Sequence, residues 1–113
     1  MQTKEEIFKL IEEDLKKHRI VLFMKGSKEI PMCGFSARVV EILKYLQADF
    51  VARNVLESDI LRSAIKEYSD WPTIPQLYIE GEFIGGCDIT EELFENGELE
   101  KMIQKESAST DKS

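Results

Sequence analysis

The sequence predicts a single α/β domain in which a four-stranded mixed β-sheet carries helices on both faces. Three observations lead there. Helical apolar patterns alternate with short apolar runs along the first two thirds of the chain, as strand–helix–strand units require. Residues 76–84 instead read as two short strands joined by a tight turn, which adds antiparallel neighbours to a parallel pair. With 113 residues, 42% apolar and 33% charged, the chain suits one core of ordinary size.

Thr3-Lys4-Glu5-Glu6 is a capping box and starts the first helix, with Ile7, Leu10, Ile11 and Leu15 as its buried stripe. His18, the one histidine, follows at the helix end. A cation there complements the helix dipole, and with no ligand-spaced neighbour His18 does not read as a metal ligand. Ile20-Val21-Leu22-Phe23-Met24 is apolar throughout, as in a strand buried on both faces. Residues 37–46 put Val39, Ile42, Leu43 and Leu46 on one helical face. Phe50 and Val51 beside Arg53 mark a second strand within 49–54. Ser58 is the N-cap of a third helix carrying Leu61, Ala64, Ile65 and Tyr68. Arg62 and Lys66 lie one turn apart on another face of it, where such pairs are usually solvated.

Trp71-Pro72-Thr73-Ile74-Pro75 ends that helix, because neither proline continues it and each pushes its predecessor to extended geometry. The hairpin follows, its turn expected at Gly81-Glu82. Gly85-Gly86 closes the second arm and suggests a bulge or the close approach of a ligand backbone. Asp88-Ile89-Thr90-Glu91 resembles a second capping box, so a helix with Leu93 and Phe94 starts just after Cys87. Leu99, Met102 and Ile103 mark a last helical segment. The domain is expected over residues 1–105, with 106–113 a flexible polar tail.

A membrane span is not expected, since the longest clear apolar run is Ile20 to Met24 and a span needs about 18 residues. A net charge of −7 disfavours nucleic acid, whose phosphates need a basic face. The first 19 residues hold acidic groups throughout, unlike a secretory signal or an Arg-rich transit peptide. A cytoplasmic protein is the default expectation, and a mature organellar chain would look the same. Two cysteines, Cys33 and Cys87, read as free thiols in a reducing compartment.

Cys33 is the residue with chemistry. It falls in the turn between the first strand and the second helix, where free N–H groups and the positive dipole end favour thiolate over thiol. Lys25, at the strand's end, adds a second positive charge. Two-cysteine oxidoreductases place C-x-x-C here, the second thiol resolving the mixed disulfide formed by the first. In Pro31-Met32-Cys33-Gly34-Phe35-Ser36 that place is Ser36. Serine does not attack a disulfide at neutral pH. The site therefore takes its second thiol from outside or does not mainly perform disulfide chemistry.

Four blocks in order, Lys25-Gly26, Pro31-x-Cys33-Gly34-Phe35-Ser36, Trp71-Pro72-Thr73-x-Pro75-Gln76-Leu77 and Gly85-Gly86-Cys87-Asp88, resemble the monothiol glutaredoxins of the Cys-Gly-Phe-Ser class. The resemblance covers about residues 3–102 and implies a thioredoxin-like fold. The segment Ser27-Lys28-Glu29-Ile30 departs from it, since many relatives carry a proline after Lys-Gly. The resemblance further implies a glutathione site in which Lys25 and Arg62 supply cations, and Thr73 belongs to the motif. Pro75 matches a cis-proline that leaves the N–H and C=O of Ile74 to pair with the peptide, and Cys87 and Asp88 offer backbone amides to the γ-glutamyl carboxylate. Lys66 has no such match, and Trp71 reads equally as packing.

The resemblance also implies iron–sulfur work. A [2Fe–2S] cluster needs four ligands, which two Cys33 thiolates and two glutathiones in a homodimer provide. Such a cluster would pass to recipient iron–sulfur apoproteins. Two alternatives stand beside this: a glutathione-dependent oxidoreductase acting on glutathionylated proteins, and an iron-responsive partner of BolA-like proteins. Ligation by Cys33 and Cys87 without glutathione is disfavoured, because Cys87 matches a position that uses its amide. A Cys33–Cys87 disulfide is left open.

Overall fold

A computed structural model describes the backbone of residues 3–111 and the side chains of residues 3–104. The elements run α1 (Lys4–Lys17), β1 (Ile20–Met24), α2 (Gly34–Tyr45), β2 (Val51–Asn54), a 3-10 turn (Val55–Glu57), α3 (Asp59–Ser69), β3 (Gln76–Ile79), β4 (Glu82–Gly85), α4 (Cys87–Glu95) and α5 (Glu98–Asp111). The sheet order is β2-β1-β3-β4. β1 and β2 are parallel, and β1–β3 and β3–β4 are antiparallel. This is the mixed four-stranded sheet expected. The predicted tail over 106–113 falls where side chains, and at 112–113 the backbone too, lie outside the described residues.

β1 is one of the two inner strands and every residue of it is buried. Its side chains alternate between two cores, as strand geometry requires. Ile20, Leu22 and Met24 pack with Val39, Ile42 and Leu43 of α2 and Leu99 of α5. Val21 and Phe23 pack with Ile7, Ile11 and Leu15 of α1 and Ala64 and Ile65 of α3. Each such fully buried aliphatic side chain stabilises the fold by about 1.5–3 kcal/mol of transfer free energy. A strand clamped this way is a firm base for whatever stands at its carboxyl end.

Local chemistry sets the element ends. The Thr3 hydroxyl accepts from the Glu6 amide at 3.2 Å and the Thr3 amide donates to Glu6 Oε1 at 2.7 Å, the expected capping box. Ser58 caps α3 by accepting from the Leu61 amide at 3.1 Å. His18 is the C-terminal cap of α1, its Nε2 3.7 Å from Asp14. Asp14 also accepts two bonds of 2.7 Å from Arg53, fastening the edge strand β2 to α1.

Three expectations need correction. Helix α4 starts at Cys87 itself, with Gly86 as its N-cap and no side-chain cap hydrogen bond, so Asp88-Ile89-Thr90-Glu91 is not a capping box. Leu10 is 49% exposed and not in the buried stripe. The stripe of α1 is the single i, i+4, i+8 row Ile7–Ile11–Leu15, flanked on its inner side by Phe8. The hairpin turn is Glu80-Gly81, not Gly81-Glu82. Both residues have positive φ, 54° and 80°, the pattern of the two-residue turn whose twist matches the flanking strands.

Candidate functional site

The site forms where β1 ends. Residues 25–32 double back tightly: the Met32 amide donates to Lys25 O at 2.8 Å and the Ser27 amide to Ile30 O at 3.1 Å. Gly26 makes this possible, with φ +96° and a position where a Cβ would lie 2.5 Å from Ile30 O and 2.6 Å from the Met32 nitrogen. The loop delivers Cys33 in extended conformation (φ −156°, ψ 137°) as the N-cap of α2, one step ahead of the first helical residue, Gly34. A Cβ at Gly34 would meet nothing, so packing does not demand glycine there.

Cys33 makes no cap hydrogen bond as a neutral thiol, but its surroundings favour the thiolate. The backbone N–H of Ser36 is the main cause that holds the thiol below its ordinary range. Partial burial opposes this, while the Phe35 N–H, the Ser36 hydroxyl and the charge of Lys25 reinforce it. Ser36 is fully buried, and its Oγ accepts from the Lys25 amide at 3.1 Å. The residue at the second position of the motif therefore ties α2 to the end of β1. It is out of reach of any disulfide in solvent.

Opposite Cys33 stand the 71–75 loop, the outer face of α3 and the start of α4. The Ile74–Pro75 bond is cis. Gly85, at φ +150°, follows a bulge at Ile84, where one step along β3 spans two along β4. A Cβ at Gly85 would lie 2.8 Å from that of Ile89, and one at Gly86 would lie 3.2 Å from Pro75 O. The close approach foreseen at Gly85-Gly86 is thus made by the chain's own α4 and proline loop.

These walls enclose a cavity of about 510 Å³. Every residue singled out from the sequence lines it: Lys25, Cys33, Arg62, Thr73, Ile74, Pro75, Cys87 and Asp88. Ile74 does so while its side chain belongs to the α1/α3 core. Trp71 serves both readings left open for it, lining the cavity with its ring centroid 5.9 Å from that of Phe83. Pro72 and Gly86, both within the quoted motifs, also line it, and Phe35, Lys66 and Ile89, which the sequence reading gave no ligand role, complete the lining. The signal for Lys66 was its i, i+4 spacing from Arg62, which puts both on one helix face. Lys25, Arg62 and Lys66 make the cavity locally cationic in an acidic protein.

Cys87 is the first residue of α4 and, like Cys33, a free thiol. Burial is the main cause that pushes it above the ordinary thiol range, with Glu91 and Asp88 adding to it. The two cysteines are thus tuned in opposite directions. Cys87, Asp88 and Glu91 bring donor atoms within 4.8 Å of one another, a spacing that suits a metal ion. Glu91 is already engaged by Arg38 Nε at 2.7 Å.

Residues 20–84 match the family model described as Glutaredoxin. The chain belongs to the glutaredoxin family. It is 57% identical over 99 residues to "Probable monothiol glutaredoxin 2" of Rickettsia typhi, covering 88% of this chain and 89% of that one. The solution structure of reduced poplar apo GrxS14 superposes with a TM-score of 0.80 at 51% identity, covering 89% and 93% of the two chains. The holo form of glutaredoxin C1 from Populus tremula × tremuloides does so at 0.82 with 27% identity, covering 93% of each. The fold of this glutaredoxin is accordingly thioredoxin-like. With Ser36 in place of a second thiol it is a monothiol glutaredoxin.

Proposed function

We propose that this glutaredoxin binds glutathione in the 510 Å³ cavity and, as a Cys33-bridged homodimer, carries a [2Fe–2S] cluster to recipient apoproteins. The observation that carries the reading is the pairing of one thiolate-favouring cysteine with a buried serine at the second position, on the rim of a cationic cavity. Glutathione brings two carboxylates, an amine and a thiol. Lys25 and Arg62 answer its carboxylates, the main chain of Ile74 pairs with its peptide as an added strand would, and the amides of Cys87 and Asp88 at the start of α4 receive the γ-glutamyl carboxylate.

The donor set fits the cargo. A [2Fe–2S] cluster commonly takes four thiolates, and each chain offers one sulfur whose surroundings favour the thiolate. Cys87, whose surroundings favour the protonated thiol, is the poorer donor. Two chains with two glutathiones complete the set. The shared fold of the holo poplar glutaredoxin C1 supports the reading. Exposed Met32 and Phe35, 64% and 63%, flank Cys33 and leave its face open to a second molecule. Recipient apoproteins and BolA-like proteins are the proposed partners of that face, and the cytoplasm the proposed compartment.

A second reading rests on the partial exposure of Cys33. Its thiolate attacks the glutathione sulfur of a glutathionylated protein, the protein leaves as thiolate, and a second glutathione thiolate attacks the Cys33 mixed disulfide. Oxidised glutathione forms and the Cys33 thiolate is restored. Ser36 takes no part.

Anaerobic reconstitution with iron and sulfide, with and without glutathione, tests the first reading by visible absorbance and size. A coloured dimer is expected only with glutathione, and none from Cys33→Ser, which should stay folded. A coloured Cys33→Ser dimer, or a parent that stays colourless and monomeric with ample glutathione, overturns it.

A further inference from the structure

Among the described residues three polar side chains are buried: Ser36, Gln76 and Thr90. Ser36 ties Lys25 to α2, and Thr90 Oγ1 donates to Gly86 O at 2.7 Å within its own helix. Gln76 does something else. Its Nε2 donates to Trp71 O at 3.1 Å and to Thr73 O at 3.3 Å, two carbonyls of the loop that walls the cavity. Its Oε1 accepts from the Tyr78 hydroxyl at 3.3 Å. Gln76 does not line the cavity itself.

The arrangement explains how such a loop keeps its shape. Two of its five residues are prolines, which have no N–H to donate. The Trp71 amide is tied to Lys66 O and Ser69 Oγ, each at 3.1 Å, which fixes where the loop starts. The next ties come from beneath. Gln76 is the first residue of β3, paired with Phe23 of the neighbouring inner strand β1, so its carboxamide is anchored on the sheet. Tyr78, two residues on and on the same face, is 2% exposed, its ring packed against Phe23, Phe83 and Tyr68. Burial pushes its ionisation far above the usual phenol range, so the hydroxyl keeps its proton and remains a donor. The two loop carbonyls only accept, so they decide that the N–H end of the carboxamide faces the loop, and the Tyr78 hydroxyl satisfies the Oε1 left on the other side. Leaving one of these buried groups unpaired would be costly.

We propose that Gln76 is a positioning residue: its carboxamide, bonded at Oε1 by the Tyr78 hydroxyl, holds the 71–75 wall in the shape that receives the ligand. The inference rests on the glutathione reading only for what the wall binds.

Two variants test it. Gln76→Met keeps length and apolar packing and removes both tethers; Tyr78→Phe keeps the ring contacts and leaves the buried Gln76 Oε1 without its donor. Amide hydrogen exchange at Trp71, whose N–H is bonded, and emission of Trp71, the only tryptophan, are read without ligand. Glutathione affinity is read by calorimetry. In Gln76→Met, exchange at the Trp71 amide should accelerate about tenfold, emission should shift, and affinity should fall about tenfold, as the loss of well-made hydrogen bonds implies. Exchange in β1 should stay parental, which separates loop positioning from general destabilisation. Tyr78→Phe should change the same readouts with the same sign, about threefold. Parental exchange and emission in both variants overturn the proposal. Should Gln76→Met not fold, Tyr78→Phe decides alone, on the same criterion. If the parent binds no glutathione, the functional reading fails, while the ligand-free measurements still decide the role of Gln76.

Discussion

The two thiols differ by their immediate neighbours, and this is measurable. Thiolate is the reacting species, so alkylation accelerates as pH rises through each midpoint. The Ser36 and Phe35 amides lower that midpoint for Cys33, whereas burial and two carboxylates raise it for Cys87. Iodoacetamide labelling followed by mass spectrometry should therefore saturate at Cys33 at a lower pH than an unfolded thiol, near 8.5, and at Cys87 at a higher one. The reverse order would remove the basis for choosing Cys33. Cations in the cavity act on the ligand instead. Lys25→Ala, Arg62→Ala and Lys66→Ala should each weaken glutathione binding by about 1.5–3 kcal/mol where the bond is well made, and change stability by no more than about 0.5 kcal/mol. Unchanged affinity in all three, by calorimetry, would place glutathione elsewhere. At this scale the sequence was legible wherever a residue belonged to a spaced motif, as seven of the eight predicted site residues do, Arg62 coming instead from the family resemblance alone. Lys66 and Gln76 were not legible, because a helix cation is usually solvated and a glutamine carries no sign of what it will bond.

The elements were legible where apolar spacing or a cap marked them, and less so where the backbone adopts an unusual shape for reasons outside the local sequence. Glu80 is the instructive case. Glutamate is an uncommon choice at φ 54°, so the turn was placed one residue late. The Glu80 amide donates to Arg19 O at 2.6 Å and its carboxylate lies 3.5 Å from Arg19 Nε, long-range contacts that fix the turn. Helix α2 begins at Gly34, three residues before the apolar stripe suggested, because Cys33 itself is the cap. Gly26 determines that arrival. A side chain there meets two backbone atoms closer than 2.7 Å at a φ that only glycine adopts readily, so the 25–32 loop must open. Gly26→Ala should destabilise the protein by about 1–3 kcal/mol and move the Cys33 midpoint back toward the ordinary thiol value. Denaturant unfolding and the same labelling profile check it. A destabilised variant with parental Cys33 reactivity would show that the loop does not set the thiol.

At the scale of the whole molecule, both sheet faces are covered by helices, and the chemistry gathers at the carboxyl end of β1, where β1, the 71–75 loop and α4 converge. One chain brings two sulfurs there, and the question is which of them the proposed dimer would share. Cys33 is the cap of α2 and is held toward thiolate. Cys87 is the first residue of α4, held toward thiol by burial and by Glu91 and Asp88. Ligation by Cys87 would require its deprotonation beside two carboxylates, and would withdraw from glutathione the helix start proposed to hold its γ-glutamyl group. Cys87→Ser should consequently keep glutathione-dependent cluster assembly and dimer formation, losing only any disulfide with Cys33 under oxidation. Reconstitution of this variant and of the parent, each with and without glutathione, decides the matter by absorbance and size. A variant that fails with ample glutathione, beside a parent that assembles without it, would make Cys87 a ligand and give the dimer four protein sulfurs.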